Sequence, residues 1–331
     1  PLIYFLRNSM WAAGKWKSSA LLEWAESFHP DVIFFAAGDY AFSYRVTLSL
    51  AQYLQVPVVM WCADDYYLSP PVSPFRRLQC RRLRKLARQV VRQSGSVVTI
   101  SDKMGTDYAR FFDVPVETVR ISSDPNPYAL PATQRTGIVY AGNLGLNRIA
   151  PLVELGRALR QAALPGFSAI DVYSGEQRPA VLRQITEENG LHYCGRISAS
   201  EVERLLGRSK FLVFTESFDD KSVRRVKYSL STKISESLRS GACLLAYGSP
   251  QIASIEYLRR HNAARILRSA DELPAALLEL CSSHDTYAKY VRAAQELAEQ
   301  CHNQERNDFL MCRIFRNAIE NAASGQENLE K

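Results

Sequence analysis

The sequence has no uninterrupted apolar run of about 18 residues, the length that a membrane-spanning helix requires. It opens without the basic, apolar and small-residue regions of a signal peptide. Its seven cysteines are scattered, odd in number and form no CxxC pair, which argues against a disulfide framework. These absences predict a cytoplasmic protein with reduced thiols.

Metal-binding patterns and repeats are also missing. The five histidines show no HxxxH spacing, so the sequence predicts no metal site. No tandem repeat or low-complexity segment is present. What remains is a chain of 331 residues that is 47% hydrophobic and 23% charged, a composition typical of a globular protein with room for two domains.

Short apolar runs alternate with helical patterns along the chain, which predicts an α/β fold with two doubly wound domains. Residues 122–136 hold three prolines and little apolar content, so the link between the domains falls there. We expect an N-terminal domain at 1–125, a linker at 126–136 and a C-terminal domain at 137–304. Residues 305–331 follow as a helix with a frayed tail, and one option is that this helix packs back on the first domain.

The segment 231–250 carries the strongest functional signal. Ser231 and Thr232 open a predicted helix, and the backbone N–H groups of such an end, beside Lys233, suit a phosphate. Glu236 follows at the i, i+3 spacing from Lys233 and suits the hydroxyl pair of a sugar. An ordinary capped helix followed by a buried strand is the alternative interpretation.

Other polar loops follow predicted strands, at the sheet edge where α/β proteins bind ligands. In the second domain glycines allow close backbone approach to a ligand. In the first domain the loops are acidic and aromatic, which suits sugar hydroxyls and a sugar ring. The loop residues are Gly142, Asn143, Gly145, Gly195, Arg196, Glu216 and Ser217 in the second domain, and Asp39, Asp64 and Asp65 in the first.

Residues 137–267 resemble the C-terminal domain of a GT-B glycosyltransferase of the kind grouped with glycosyltransferase family 4, which is common in bacterial polysaccharide assembly. The matching segments, in order, are 140–145, 193–197, 212–218 and 231–241. Residues 31–121 are similar to the end of the N-terminal domain of these enzymes, through 30–34 and 64–66.

The resemblance implies two Rossmann-like domains facing across a cleft. It implies a hexosyltransferase-type enzyme that moves a sugar from a nucleotide-diphosphate donor, its co-substrate, to a glycan, lipid-linked or small-molecule acceptor. It favours retention of the anomeric configuration and no further cofactor. The donor would lie in the second domain and the acceptor on the first.

The resemblance also implies a role for each matching residue. Gly142, Asn143 and Gly145 would lie against the diphosphate, and Ser231, Thr232 and Lys233 would hold phosphate. Glu236 would bind the ribose hydroxyls. The backbone of Gly195, Arg196 and Ile197 would frame the base. Arg148 is the only basic candidate near the first of these loops.

The sequence departs from the family pattern in two places. Tyr228 stands where many members carry a glutamate that faces the donor sugar, eight positions before Glu236. Glu216 or Asp219 is the candidate substitute. Residues 1–30 lack the usual opening strand and glycine-rich turn, and the chain starts at Pro1. The first strands are then either missing from this chain or the domain is reduced.

The chemistry stays open at this point. Retention would need no dedicated base and would depend on leaving-group stabilisation by Arg148 and Lys233. Inversion would need a base, for which Asp39, Asp64 and Asp65 are the candidates. The last two also fit a turn, a cap or a metal-binding DxD element.

Residues 74–93 form a predicted helix with eight basic residues and no acidic one. One interpretation is a core-facing apolar stripe that includes Phe75 and Leu78 beneath a solvated basic face. The other is contact with an anionic membrane surface at the cytoplasmic face. No nucleic-acid motif accompanies the charge, so we expect no nucleic-acid partner.

Two other functions share this architecture. One is a non-catalytic GT-B-like binding or scaffold subunit, which the tyrosine at position 228 and the short N-terminus favour. The other is a sugar-nucleotide epimerase, which would require more acids and histidines near the ligand.

Overall fold

The chain divides into two compact units in the computed structural model, which describes residues 2–14, 16–71, 73–94 and 96–327. Unit 1 comprises Pro1–Arg120 and Asn307–Lys331, and unit 2 comprises Ile121–Arg306. Each unit is built on its own parallel β-sheet flanked by helices. The predicted α/β class is therefore confirmed.

Unit 1 contains four parallel strands that follow chain order across the sheet. The strands are β1 (Ile33–Ala36), β2 (Val58–Cys62), β3 (Ser96–Thr99) and β4 (Val116–Thr118). The helices before β4 are α1 (Leu2–Ala13), α2 (Ser19–Glu26), α3 (Ala41–Leu54), α4 (Pro74–Ser94) and α5 (Asp102–Phe112). Strand β2 is apolar along its whole length because both faces of a central parallel strand are covered.

Unit 2 contains six parallel strands in the order β10-β9-β8-β5-β6-β7. The order reverses at the β5–β8 pair, as in a doubly wound sheet. The strands are β5 (Thr136–Ala141), β6 (Ile170–Tyr173), β7 (Leu191–Gly195), β8 (Ser209–Thr215), β9 (Cys243–Tyr247) and β10 (Arg265–Leu267). The helices are α6 (Ile149–Ala162), α7 (Pro179–Leu182), α8 (Ala199–Arg208), α9 (Asp220–Val226), α10 (Lys233–Arg239), α11 (Ala253–Arg260), α12 (Glu272–Ser282) and α13 (His284–Cys301).

The last helix, α14 (Gln304–Glu327), covers one face of the unit 1 sheet. Ile314 and Ala318, one helical turn apart, pack against Val59 of β2 and Val98 of β3. Helical structure extends through 323–327, where a frayed tail was expected, and 328–331 lie outside the described residues. None of the described helices is both long and apolar enough to cross a lipid bilayer.

Residues 126–136, which were expected to form a linker, are hydrogen-bonded to unit 2. Asn126 Nδ2 donates to the carbonyl of Glu203 (2.8 Å), and the Leu130 amide donates to the carbonyl of Gly207 (2.9 Å). A Cβ at Gly207 would lie 2.5 Å from the Tyr128 carbonyl oxygen, so only glycine allows this close approach. The segment therefore belongs to the fold of unit 2.

Candidate functional site

A cavity of about 1080 Å³ opens in unit 2 beyond the carboxyl ends of β5 and β6. This position lies beside the reversal of strand order, where loops diverge and leave a crevice. Seven of the residues selected from the sequence line it: Gly142, Asn143, Gly145, Arg196, Ile197, Lys233 and Glu236.

The loop after β5 forms one wall of the cavity. Tyr140 Oη donates to the carbonyl of Asn143 (2.8 Å), and the Asn143 side chain accepts a hydrogen bond from the Gly145 amide. A Cβ at Gly142 would lie 2.5 Å from Lys233 Nζ, so the lysine side chain passes directly over this glycine. The loop and the lysine therefore present backbone and positive charge to the same part of the cavity.

Lys233 is the first residue of α10 and is held in a partly desolvated position. Burial, with Arg148 as the next cause, lowers the pKa of Lys233 to about 8. Protonated Lys233 is therefore destabilised while the site is empty, and a bound anion would stabilise it. The neighbouring Ser231 amide already donates to Ser254 Oγ (3.0 Å), so that group is engaged within the protein.

Glu236 lies on the cavity wall one turn into α10. Its side chain is exposed, and among the described residues none donates a hydrogen bond to its carboxylate. Both oxygens are thus available to accept from a ligand. A carboxylate in this state suits a pair of hydroxyl groups.

Arg148 and Glu216 form a bidentate ion pair, with Nε to Oε2 and Nη2 to Oε1 both at 3.0 Å. Glu216 is only 2% exposed. Burial raises the pKa of Glu216, and Arg148 acts in the opposite direction. Arg148 lines a second cavity of about 290 Å³ together with Ser231, Thr232 and Lys233, but Glu216 lines neither cavity.

The remaining loop residues from the sequence analysis have structural partners. Ser217 is buried and hydrogen-bonds Asp219, whose Oδ1 accepts from the Ser222 amide (2.9 Å) at the start of α9. Tyr228 is also buried. The Gly195 carbonyl accepts from the Ser174 amide (2.9 Å) within the sheet. The larger cavity is not lined by Ser217, Asp219, Tyr228 or Gly195.

One wall of the cavity consists of residues that were not predicted from the sequence. It comes from Tyr173 at the end of β6 and from Glu176 and Arg178 beyond it. Arg178 Nε donates to Glu176 Oε1 (2.8 Å), and these contacts lower the pKa of Glu176 to about 2. Gly175, just after a predicted strand, is the signal that could have found this loop.

Asp65 of unit 1 organises its own loop. Its Oδ1 accepts from the amides of Tyr67 (3.0 Å) and Leu68 (2.9 Å) and from Tyr108 Oη (3.0 Å). Its Oδ2 accepts from the amide (2.7 Å) and hydroxyl (2.6 Å) of Ser69. Five donors leave this carboxylate little capacity for a substrate. Asp65 therefore has the turn or cap role, which is one of the alternatives given above for Asp64 and Asp65.

The other two candidate aspartates of unit 1 differ in exposure. Asp64 is exposed, and Asp39 is half-buried, with its Oδ2 3.6 Å from Arg76 Nη1, a contact weakened by solvent. Both residues follow strands of unit 1, at its carboxyl edge. Both therefore lie at the edge of the sheet where the sequence placed them.

The basic helix α4 has a buried apolar side and an exposed basic side. Leu83, Ala87 and Val90 are buried, as expected for a core-facing stripe. Phe75 and Leu78 were expected in that stripe but are 55% and 60% exposed. The basic side chains Arg81, Arg84, Lys85, Arg88 and Arg92 line a surface cavity of about 470 Å³ with Phe111.

No protein-family profile and no curated protein matches this sequence. Solved structures do match its fold. HepE from Anabaena in complex with UDP matches with a TM-score of 0.64 and 16% identity over 91% of this chain and 81% of that chain. A glycosyltransferase from Rickettsia africae matches with a TM-score of 0.69 and 11% identity over 93% and 84%.

A third match is WaaG, a glycosyltransferase involved in lipopolysaccharide biosynthesis, with a TM-score of 0.54 and 12% identity over 88% of this chain and 91% of WaaG. At such low identities the matches establish the fold alone. The chain has the GT-B fold, so the resemblance stated from the sequence is confirmed at that level. Membership of glycosyltransferase family 4 stays a prediction.

Proposed function

We propose that this chain with the GT-B fold is a glycosyltransferase that binds a nucleotide-diphosphate sugar in the large cavity of unit 2. The observation that carries the proposal is the convergence of Lys233, Glu236 and the Gly142–Gly145 loop on one cavity wall. A cation beside a close-approaching backbone suits a diphosphate, and a carboxylate without donors suits a ribose. HepE, a structural neighbour, binds UDP and UDP-glucose.

In this proposal the charges of the site are divided between two roles. Glu216 neutralises Arg148 within the protein, so Lys233 supplies the positive charge that the diphosphate needs. Arg148 contributes through the smaller cavity, where it lies with Ser231 and Thr232. Gly195, Arg196 and Ile197 frame the nucleobase, and of these Arg196 and Ile197 line the cavity.

We propose retention as the stereochemical course. The bond between the sugar C1 and the diphosphate oxygen breaks, a bond from C1 to the acceptor oxygen forms, and the acceptor proton leaves with the diphosphate. Charge develops on the leaving oxygen, where Lys233 and the loop amides stabilise it. An inverting reaction would instead require Asp39 or Asp64 as base, because the oxygens of Asp65 are already occupied.

The proposed acceptor is a glycan or lipid-linked sugar at the cytoplasmic face of a membrane, with the transferred group a hexose. Exposed Phe75 and Leu78 lie beside Arg77, Arg81 and Lys85 on α4. Exposed apolar side chains next to cations are typical of helices that insert shallowly into anionic bilayers. This combination favours a membrane contact over a purely solvated basic face.

The donor proposal is tested by titrating the protein with UDP, GDP and their sugar conjugates in a calorimeter. We expect one nucleotide to bind with 1:1 stoichiometry and to raise the melting temperature, since a ligand specific for the folded state must do so. Transfer of sugar to an acceptor would then establish the enzyme. Binding without any turnover favours the scaffold subunit, and conversion of the donor sugar without an acceptor favours the epimerase.

The membrane proposal is tested by co-sedimentation with vesicles of phosphatidylglycerol and phosphatidylcholine. A variant with Arg77, Arg81 and Lys85 changed to Glu should lose binding to the anionic vesicles. Its control carries the same change at Arg183, Lys289 and Arg292, exposed basic residues of unit 2. Equal binding by the two variants contradicts a role for α4.

A further inference from the structure

Three side chains that can ligate a metal meet on the unit 2 sheet. Asp171 lies on β6, and His192 and Cys194 lie on the neighbouring strand β7. One ligand atom from each residue lies within 4.8 Å of the other two. His192 Nδ1 is 3.0 Å from Asp171 Oδ1 and 3.6 Å from Cys194 Sγ.

A backbone irregularity accompanies this cluster. Asp171 pairs with His192 and Val172 with Tyr193, but Tyr173 pairs with Gly195, so the register skips Cys194. Such a bulge re-aims a side chain and is uncommon between parallel strands. Gly195 has a φ of 76°, a conformation that glycine adopts without strain. Strand β7 is therefore irregular at Cys194, the residue that supplies the sulfur ligand.

The separations fit a tetrahedral zinc site. Zinc binds nitrogen and oxygen at about 2.0–2.2 Å and sulfur at about 2.3 Å, which places ligand atoms about 3.3–3.7 Å apart. The two separations from His192 Nδ1 lie within a few tenths of an ångström of this range, and the ligand atoms of Asp171 and Cys194 lie within 4.8 Å of each other. Side-chain rotation can bring the three ligand atoms around one cation.

The donor set selects the type of metal. A thiolate and an imidazole favour zinc and similar borderline cations over magnesium or calcium, which prefer oxygen ligands alone. The His192 and Asp171 side chains are 62% and 42% exposed, so a cation can reach them from solvent. A fourth position stays open to water.

We propose that Asp171, His192 and Cys194 form a binding site for zinc or a similar divalent transition metal. The sequence predicts no metal site, because a His-x-Cys pair and an aspartate 21 residues earlier match no HxxxH or CxxC spacing. Parallel strands bring these distant positions side by side. The proposal is independent of the nucleotide site, which it neither requires nor explains.

Tyr173 lies two residues after Asp171 on β6 and also lines the wall of the larger cavity. The cluster therefore lies close to that cavity.

Cobalt(II) serves as the probe because tetrahedral thiolate coordination gives it visible bands and a sulfur-to-cobalt charge-transfer band. We expect the full chain to bind one cobalt ion with both features and to release it to zinc. Cys194→Ser should remove the charge-transfer band. The matched controls Cys281→Ser and Cys312→Ser, at exposed cysteines on α12 and α14, should retain it.

His192→Gln and Asp171→Asn should each weaken zinc binding by at least about tenfold in competition with a chromogenic chelator. Circular dichroism of each variant establishes that it is folded. Absence of a charge-transfer band in the unaltered chain overturns the proposal and leaves a surface His–Asp ion pair. Retention of the band in Cys194→Ser also overturns it, because the sulfur must then come from another cysteine.

Discussion

Arg148 and Glu216, 68 residues apart in the sequence, are joined by two parallel hydrogen bonds of 3.0 Å. Arg148 lies at the start of α6 and Glu216 directly after β8, so the pair spans the reversal of strand order in unit 2. It neutralises Arg148, which lines the smaller cavity, and leaves Lys233, which lines both cavities, to meet a ligand. The pair is thus both a structural tie and a determinant of the charge of the site.

Changing Glu216 to Gln should lower the free energy of unfolding by about 3 kcal/mol, because it leaves the guanidinium partly buried without its counter-charge. Urea denaturation measures the effect. Asp220→Asn is the control: Asp220 is 89% exposed and 4.0 Å from Arg224, so its loss should change stability by less than about 0.5 kcal/mol. Equal losses in the two variants contradict the assignment.

Affinity for a nucleoside diphosphate should fall as the pH rises through about 8, because the pKa of Lys233 lies there in the free protein. Lys233→Met should flatten this profile and weaken binding by about 10- to 100-fold, the effect of one charge-assisted hydrogen bond. Calorimetric titration over a pH series measures both. A pH profile unchanged in the variant assigns the titration to another group.

The same lysine affects the stability of the free protein in the opposite direction. Burial lowers its pKa from 10.5 to about 8, so the unfolded state binds more protons between these values. The free energy of unfolding should therefore rise with pH across that window. Lys233→Met should reduce this rise and should stabilise the unliganded protein at neutral pH.

Glu236→Ala should weaken nucleotide binding by about tenfold or more, because the carboxylate no longer accepts from the ribose hydroxyls. A 2′,3′-dideoxy nucleotide supplies the control. It should bind the unaltered protein and the variant with similar affinity, since it lacks the hydroxyls concerned. If the variant weakens the ribo- and dideoxynucleotide equally, Glu236 acts on another part of the ligand.

Asp65→Asn should lower the stability of unit 1 by about 1–3 kcal/mol, since an amide cannot accept all five hydrogen bonds. Asp64→Asn, at the adjacent exposed position, should leave stability within about 0.5 kcal/mol and should reduce transfer instead, because its carboxylate is a proposed contact for the hydroxyl groups of the acceptor. Thermal denaturation and a transfer assay together distinguish the two. Loss of transfer in a stable Asp65→Asn variant would return that carboxylate to the catalytic candidates.

Many of the strands and helices could be predicted from local sequence patterns. The run 57–62 and the helix 102–112 were expected within one residue of β2 and α5, because burial on both faces and helical periodicity are written in consecutive side chains. Strand β4 was not expected. It has only three residues and none is buried, so its position depends on pairing with β3.

The loops around the cavity were predicted from the sequence in part. Gly142 and Lys233 were selected from loop composition, and the structure brings them together at one wall. The wall at Tyr173 and Glu176 was not selected, because neither residue has a local signature of binding. Its place depends on which strand neighbours β5.

Local sequence patterns predict where most strands and helices lie, since these follow from the hydrophobic period and from glycine and proline. The loop ends that share a site are known only once the sheet is assembled. Strand order and register are long-range choices, fixed by the packing of the whole sheet rather than by any one segment. Strand order and register pair Glu216 with Arg148 rather than with a ligand. They also bring Asp171 beside His192.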